Sequence, residues 1–567
     1  MRYIVQQLSG LDASFLYLET ANSPMHIGGL SIYDPSTADG GQVTFKQILA
    51  NLTARAQRIA AMTNTLVEVP LSLDHPYWRA DGNFDPEFHI RHIALPKPGD
   101  WRQLCIQVSR LHARPLDRAH PLWEMYVIEG LDNVEGYPPG CFAVLTKMHH
   151  AAIDGASGVE IASVIHDLEP SPESFPEVHP TDSERMPSSL ELLWRAQVNT
   201  IKTPLRFVSV ARNTLPGLTR FVTGMAAGKL SRVSDLPRTR FNTNVSPHRV
   251  FDSVLFKLSD IKAIKSAIDG VTVNDVAIAI CGGGLRKYLE SKNELPKKSL
   301  AAMAPINIRT KDKLGTAGNQ VSQMTVRVGS QIEDPIERLM AVNEGTRHAK
   351  ELTHAIGAKS MTDYAQFIPS TLTASAARLA SRTGLVNRVK PLYNCVITNV
   401  PGPQVPLYFT GARMISTFGM GPPIDGTGLF HAIGSYCGTF NIAVCCCREM
   451  MPDPAFYAQC LQESFDELYA ETQALLGEAG SDKKREKKAG KTEKAAARKK
   501  ASPKSAKKKT VKKKVAKKRV AKKKTANSKA TPKADAVTAE SGVVGNKAVT
   551  RKKPVIRKRA KKMSKQD

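Results

Sequence analysis

The chain has 567 residues and a formal net charge of +28, too long for one ordinary core and long enough for two or three domains. The charge is concentrated: Ser481 to Asp567 holds 35 Lys and Arg against 6 Asp and Glu, which leaves the first 480 residues close to neutral. A basic composition therefore gives no ground for a nucleic-acid-binding body, and nine cysteines without a CxxC pair give none for a disulfide framework or a zinc ribbon.

In chain order, the start MRYIVQQLSGLDASF lacks an apolar core of signal-peptide length, so a cytoplasmic protein is expected. Gly28 to Tyr33 (GGLSIY) predicts a strand. Phe45 to Met62 predicts a helix, with apolar residues at Ile48, Leu49, Leu52, Ala56, Ile59 and Ala60. Cys141 to His150 (CFAVLTKMHH) predicts a buried strand, followed by a turn and a helix from about Ser157 to Leu168. The acidic, Pro-rich run EPSPESFPEVHP at 169–180 predicts a linker. Ser188 to Leu230 mixes Trp, Phe and aliphatics with Lys and Arg. It fits either an amphipathic crossover packed on the core or a contact with a membrane or lipid-droplet surface.

A second α/β unit follows from about Ser246 to Gly477. Helices are predicted at Leu258–Ile268, Val273–Glu290, Pro335–Thr353 and Asp453–Leu476, and strands at Leu300–Ile308, Val321–Val328, Cys395–Asn399 and Phe440–Cys447. Adjacent Cys445, Cys446 and Cys447 read as small core residues of a reducing compartment. Past Gly480 the AKKK-type repeats contain no aromatic residue and cannot bury enough apolar surface to offset chain entropy, so this tail is expected to be disordered. No run reaches the roughly 18 apolar residues of a membrane span, so membrane association is expected to be peripheral.

The sharpest local pattern is His149-His150-Ala151-Ala152-Ile153-Asp154-Gly155. Side chains alternate along a strand, so adjacent histidines point to opposite faces. One can reach a cleft while the other is held by the structure. Asp154 can fix the turn and Gly155 permits a tight exit from it. A neutral imidazole is the base an alcohol needs before it can attack a thioester. There is no GxSxG elbow and no HExxH, which removes the serine-hydrolase and zinc-hydrolase readings.

HHAAIDG fits the HHxxxDG motif of acyl-CoA-dependent acyltransferases. From about Leu8 to Leu476 the chain resembles the bacterial wax ester synthase/acyl-CoA:diacylglycerol acyltransferase family. The resemblance is carried by LSGLDASFLYLETANSPMHIGGLSIYD, DGNFDPEFHIRHIALPKPG, the PLW of RPLDRAHPLWEMYVIEGL, the ND of VTVNDVAIAICGGGLRKYL, PINIR and TNVPGPQVPLYFTGARM. It implies an α/β (α+β) fold of two chloramphenicol-acetyltransferase-like domains, with the active-site tunnel at their interface. The domains are then 1–185 with HHxxxDG, an amphipathic crossover linker at 186–245, a C-terminal acyltransferase domain at 246–478 and the Lys-rich tail at 479–567.

The same resemblance implies His150 as the base, with His149 and Asp154 holding its setting. Asn274 and Asp275 would support the site from the second domain, although Asn274 can equally be read as a helix N-cap. Pro121, Leu122 and Trp123 would shape the substrate passage. At 62–69 the chain reads MTNTLVEV where the family pattern carries arginine, so Arg309 becomes the candidate partner of Asp154. The implied reaction moves a long-chain acyl group from acyl-CoA to diacylglycerol or a long-chain alcohol. No metal or redox cofactor is expected, with acyl-CoA as co-substrate. For residues 481–567 the expected partners are nucleic acid, an anionic membrane or another polyanion. The alternative is a polyanion-binding protein whose acyltransferase body is catalytically degenerate.

Overall fold

The computed structural model describes residues 6–82, 84–153, 161–171, 186–199, 236–307, 321–356, 383–384 and 387–499, with backbone alone at 306–307, 321–323, 352–356 and 478–499. Residues 1–491 form one compact unit and Thr492–Asp567 a second. Among the described residues no helix is long and apolar enough to cross a membrane.

Among the described residues, three sheets organise the first unit. A small one, in order β1 (Gln6–Gln7), β4 (Tyr77–Ala80), β3 (Asn64–Val67), lies near the N-terminus. The first large sheet runs β12 (Tyr408–Phe409), β13 (Ala412–Met420), β2 (His26–Asp34), β7 (Phe142–His149), β6 (Trp123–Glu129), β5 (Ile90–Ala94). The second runs β10 (Val321–Arg327), β9 (Ala301–Asn307), β11 (Cys395–Pro401), β14 (Leu429–Tyr436), β15 (Thr439–Cys447), β8 (Arg249–Lys257).

The C-terminal half lends β12 and β13 to the first large sheet, where β13 pairs antiparallel with β2 from Arg413↔Asp34 to Met420↔Gly28. Helix Trp101–His112 buries Leu104, Val108 and Leu111 in a core shared by Leu30 and Leu145 of the first sheet and Phe251, Ala432 and Ala443 of the second. Trp101 Nε1 donates to Asp252 Oδ1 at 2.9 Å across the same boundary. The two halves are thus joined by strand donation from the C-terminal half and by a common core.

Most predicted elements recur with shifted ends. The helix from Phe45 starts from a Thr44–Gln47 capping box and stops at Ala56, with Ala60–Thr63 a separate turn. Ile59 is extended (φ −113°), which breaks the run that apolar spacing carried to Met62. The C-terminal helix is longer than predicted, Pro454–Lys499 rather than ending at Leu476. Ala, Glu, Lys and Arg are strong helix formers, so charge alone does not end it. Residues 500–567 lie outside the described residues, as do 200–235 of the amphipathic segment.

Helix Val273–Ser291 carries three glycines where close approach requires them. A Cβ on Gly282 would lie 1.9 Å from the Val328 carbonyl oxygen, and one on Gly283 would lie 2.1 Å from Ser464 Oγ. The weak intrinsic helicity of glycine is offset by this packing.

Candidate active site

β7 shows the alternation expected of a buried strand. Phe142, Val144 and Met148 join one core with Trp123, Met125 and Val127 of β6, while Ala143 and Leu145 face the other. The strand ends at His149, one residue earlier than predicted, and His150 opens the turn. The His149 N–H donates to the Leu122 carbonyl and the His150 N–H to the Met25 carbonyl, both at 2.9 Å. Consecutive N–H groups are taken from opposite sides, so the two side chains diverge.

His149 is 1% exposed. Its Nδ1 accepts from the Ala151 N–H at 3.1 Å, which puts the ring proton on Nε2, and Nε2–H donates to Glu19 Oε2 at 2.9 Å. Glu19 also accepts from the Met25 N–H at 3.0 Å and from Arg118 Nη2 at 3.2 Å. Burial alone would raise the Glu19 pKa, but His149, the Met25 N–H and Arg118 outweigh it and hold the carboxyl below its ordinary range. Glu19 is the partner of His149 that sequence reasoning missed. The only available signal was that it is the sole acid between Asp12 and Asp34.

A testable consequence follows from this depressed value. The stability Glu19 contributes is complete above the ordinary glutamate pKa of about 4.3 and is lost as pH falls through the lower folded value. Glu19→Gln is expected to cost about 1–3 kcal/mol at pH 7 and to flatten the acid limb of stability, read from urea unfolding at pH 7 and near pH 3. An unchanged acid limb would show that the Glu19–His149 bond is not what orders this turn.

His150 is half-buried, and its ring lies against Phe15 with centroids 4.0 Å apart and planes 8° from parallel. Helix Gly10–Leu18, capped by Ser9 Oγ on the Asp12 N–H at 3.1 Å, buries Ala13 and Leu16 against Leu122 and Ala151 and so carries Phe15 to the histidine. Four other histidines are buried and held neutral. Burial pushes His112 down to about 3, His166 to about 4 and His431 to about 4, and His26 well below its usual value. His26 Nε2–H donates to the His112 carbonyl at 2.6 Å, and His431 Nε2 accepts from Tyr457 Oη–H at 2.7 Å. These rings are neutral supports, too weakly basic near pH 7 for proton abstraction.

The remaining predicted residues fall into three groups. Pro121, Leu122 and Trp123 are buried, and Trp123 Nε1 donates to the Met62 carbonyl at 2.8 Å. They form a packed wall behind the histidine turn. Asn274 is not the N-cap: Thr272 is, with its hydroxyl accepting from the Asp275 N–H and the Asp275 carboxylate accepting back from Thr272. Asp275 is 1% exposed and also takes Thr346 Oγ1 at 2.6 Å and Asn343 Nδ2 at 3.0 Å. Burial would raise its pKa, but these hydrogen bonds prevail and lower it. Among the described residues no hydrogen bond joins Asn274 or Asp275 to either motif histidine. Asp154, Gly155 and Arg309 lie outside the described residues.

Beyond the motif, Arg55 Nη2 donates to both oxygens of Asp167 at 2.7 Å and Arg55 Nη1 to the Val164 carbonyl at 2.7 Å. Asp167 exchanges backbone hydrogen bonds with Tyr408 of β12. The chain leaving the motif is therefore clamped to both halves. Burial pushes the Cys395 and Cys445 thiols up to about 12, which makes these two poor nucleophiles near pH 7. Among the described residues no group of three or more His, Cys, Asp or Glu is arranged to hold a metal ion.

Two mixed sheets, the first completed by two strands from the C-terminal half, define a two-domain chloramphenicol-acetyltransferase-like fold. A Fusarium sporotrichioides trichothecene 15-O-acetyltransferase shares this fold at 10% identity and a TM-score of 0.51, over 82% of this chain and 94% of that one. Residues 8–277 match the wax ester synthase/diacylglycerol acyltransferase catalytic domain, and residues 317–469 match the WS/DGAT C-terminal domain. The chain belongs to the wax ester synthase/diacylglycerol acyltransferase family and is an acyltransferase.

A Mycobacterium tuberculosis protein named as a diacylglycerol O-acyltransferase is 34% identical over 82% of this chain and 90% of its own length. A Mycobacterium bovis protein so named is 30% identical over 78% of this chain and 94% of its own. The wax ester synthase/diacylglycerol acyltransferase from Marinobacter aquaeolei VT8 is 26% identical, with a TM-score of 0.58 over 82% of this chain and all of that one.

Proposed function

We propose that the protein transfers a long-chain acyl group from acyl-CoA to diacylglycerol, a long-chain alcohol, or both, with His150 as general base. The supporting observation is the contrast between the two motif histidines. His149 is sealed and locked to Glu19, whereas His150 is half-buried with its ring plane set by Phe15. An alcohol becomes a competent nucleophile when a neutral imidazole takes its proton, and a thiol with pKa near about 8.5 leaves readily. His150 removes the hydroxyl proton as oxygen attacks the thioester carbonyl. It then returns that proton to the departing thiolate.

His149 and Asp154 hold this setting, with Gly155 at the exit and Arg309 as the partner of Asp154. Pro121, Leu122 and Trp123 back the substrate passage, and Asn274 and Asp275 brace the second half. The reaction needs a base and an acyl-CoA co-substrate, and calls on no redox step. Family membership lends no support to a degenerate body that merely carries a polycationic tail, although residues 481–567 remain suited to an anionic surface or nucleic acid.

The test is thiol release from palmitoyl-CoA with diacylglycerol or hexadecanol competing as acceptors. Release that requires an acceptor, without a stoichiometric burst in its absence, is expected of direct transfer. A burst would point to an acyl-enzyme and overturn the general-base scheme.

Apolar substrates also call for a lipid surface. Helix 189–199 buries Leu192 and Ala196 against Val67, Val69 and Tyr77, but leaves Leu190 79% and Trp194 70% exposed, and the β3–β4 connection exposes Leu71. A peripheral membrane or lipid-droplet contact at this helix suits a cytoplasmic enzyme working on such substrates. Trp194→Ala is expected to weaken binding to neutral phosphatidylcholine vesicles several-fold at high salt, where tail electrostatics are screened. Equal co-sedimentation of both proteins would remove this helix from the interface.

A further inference from the structure

We propose that an arginine-lined cavity at the seam of the two halves receives the phosphate groups of the acyl-CoA co-substrate, a proposal that rests on the acyl-transfer reading above. The cavity has a volume of about 210 Å³, and its lining includes Ser109, Arg110, Arg114, His248, Arg249 and Arg448. The arginines converge from separate places: the end of helix Trp101–His112 and just beyond it, the first residue of β8, and the residue after β15. Both halves of the chain therefore build it.

Among the described residues no carboxylate lines the cavity. Arg55, Arg118, Arg195, Arg240 and Arg286 each hold a carboxylate, whereas among the described residues the four cavity arginines make no ion pair. Arg249 is 3% exposed, and its guanidinium donates to the backbone carbonyls of Ser246, His248, Asn22 and Pro423. The neighbouring acid, Glu449, is engaged by Ser246 Oγ and Cys447 Sγ. Four gathered positive charges repel one another in a body that is otherwise near neutral. The helix end stabilises Arg110 and Arg114 but explains neither Arg249 nor Arg448. An anion in the cavity relieves the repulsion, and guanidinium groups grip phosphate with paired hydrogen bonds.

The cavity is tied to the histidine turn by two routes. Arg249 holds the Asn22 carbonyl, in the loop whose Glu19 locks His149 and whose Met25 carbonyl takes the His150 N–H. Lys147 Nζ donates to the Arg114 carbonyl at 2.8 Å, and Lys147 precedes His150 by three residues. The strand that carries the histidine turn and the loop that braces it therefore also brace the cavity, so bound phosphates and a thioester at His150 would be held on one framework.

The exposed arginines can be neutralised without touching the buried one. In the full-length protein, the triple variant Arg110→Gln, Arg114→Gln, Arg448→Gln is compared with wild type on palmitoyl-CoA and on palmitoyl-pantetheine, which lacks the adenosine phosphates. The preference, as the ratio of kcat/KM values, is expected to fall about tenfold or more in the variant, and less in the matching Arg→Lys triple. An unchanged ratio overturns the proposal. So does an unchanged ratio with lost binding to anionic phospholipid vesicles, which would assign the cavity to a lipid headgroup. If wild type turns over neither thioester, the acyl-transfer reading fails by itself. Calorimetric titration with adenosine 3′,5′-bisphosphate then decides the cavity: weaker binding to the variant supports it and equal binding overturns it, since both proteins carry the same Lys-rich tail.

Discussion

His150→Ala is expected to lower acceptor-dependent acyl transfer by about 10²- to 10⁴-fold, the range a positioned general base supplies, while leaving the protein folded. The half-buried ring of His150 covers one face of Phe15 and sits outside the strand ladder, so its removal costs little packing. His149→Ala should behave differently. It removes the donor that joins the Met25 N–H and Arg118 in ordering the Glu19 carboxylate, and should lose stability and activity together. Steady-state rates beside urea midpoints separate the two. A His150→Ala protein with near-wild-type kcat would move the base elsewhere, and the burial that lowers the pKa values of His26, His112, His166 and His431 argues against those four.

The largest stability effect is expected at Arg55. Its guanidinium is 1% exposed and grips both oxygens of Asp167, itself 8% exposed. Breaking one side of such a pair leaves a buried charge uncompensated, and Arg55→Ala should cost about 3–5 kcal/mol. Replacing both partners by apolar residues, Arg55→Met with Asp167→Leu, removes both charges and should recover much of that loss. Urea unfolding of the two variants tests this directly. A single variant as stable as the double would mean water reaches Asp167 and the pair is not buried in solution. Because Asp167 is backbone-bonded to Tyr408, the single variant should also loosen the edge that β12 and β13 provide.

What the sequence made legible was local. Period-two alternation in FAVLTKMH marked β7 and separated the two histidines, and helical spacing marked Val273–Ser291 and Leu258–Ala267. Elements set by distant partners were not readable. β13 has a strand's pattern, yet nothing in it says that it pairs with β2 rather than with its neighbours in sequence. Arg55 and Asp167 lie 112 residues apart, and each alone reads as a surface charge. Glu19 belongs to no spaced motif and matters because the chain folds it under His149. In TVND both Thr272 and Asn274 are good capping residues, and the choice fell to Thr272 because Asp275 completes the reciprocal box.

The central claim is that this body joins an acyl thioester to a lipid alcohol through His150. Its most direct test is mass-spectrometric detection of ester from palmitoyl-CoA with diacylglycerol or hexadecanol, using purified full-length wild type and His150→Ala. The account predicts triacylglycerol or wax ester formed in step with free CoA by the wild type, and reduced by orders of magnitude in the variant. Ester formed equally by both, or none from a folded wild type across several acyl lengths, would contradict it.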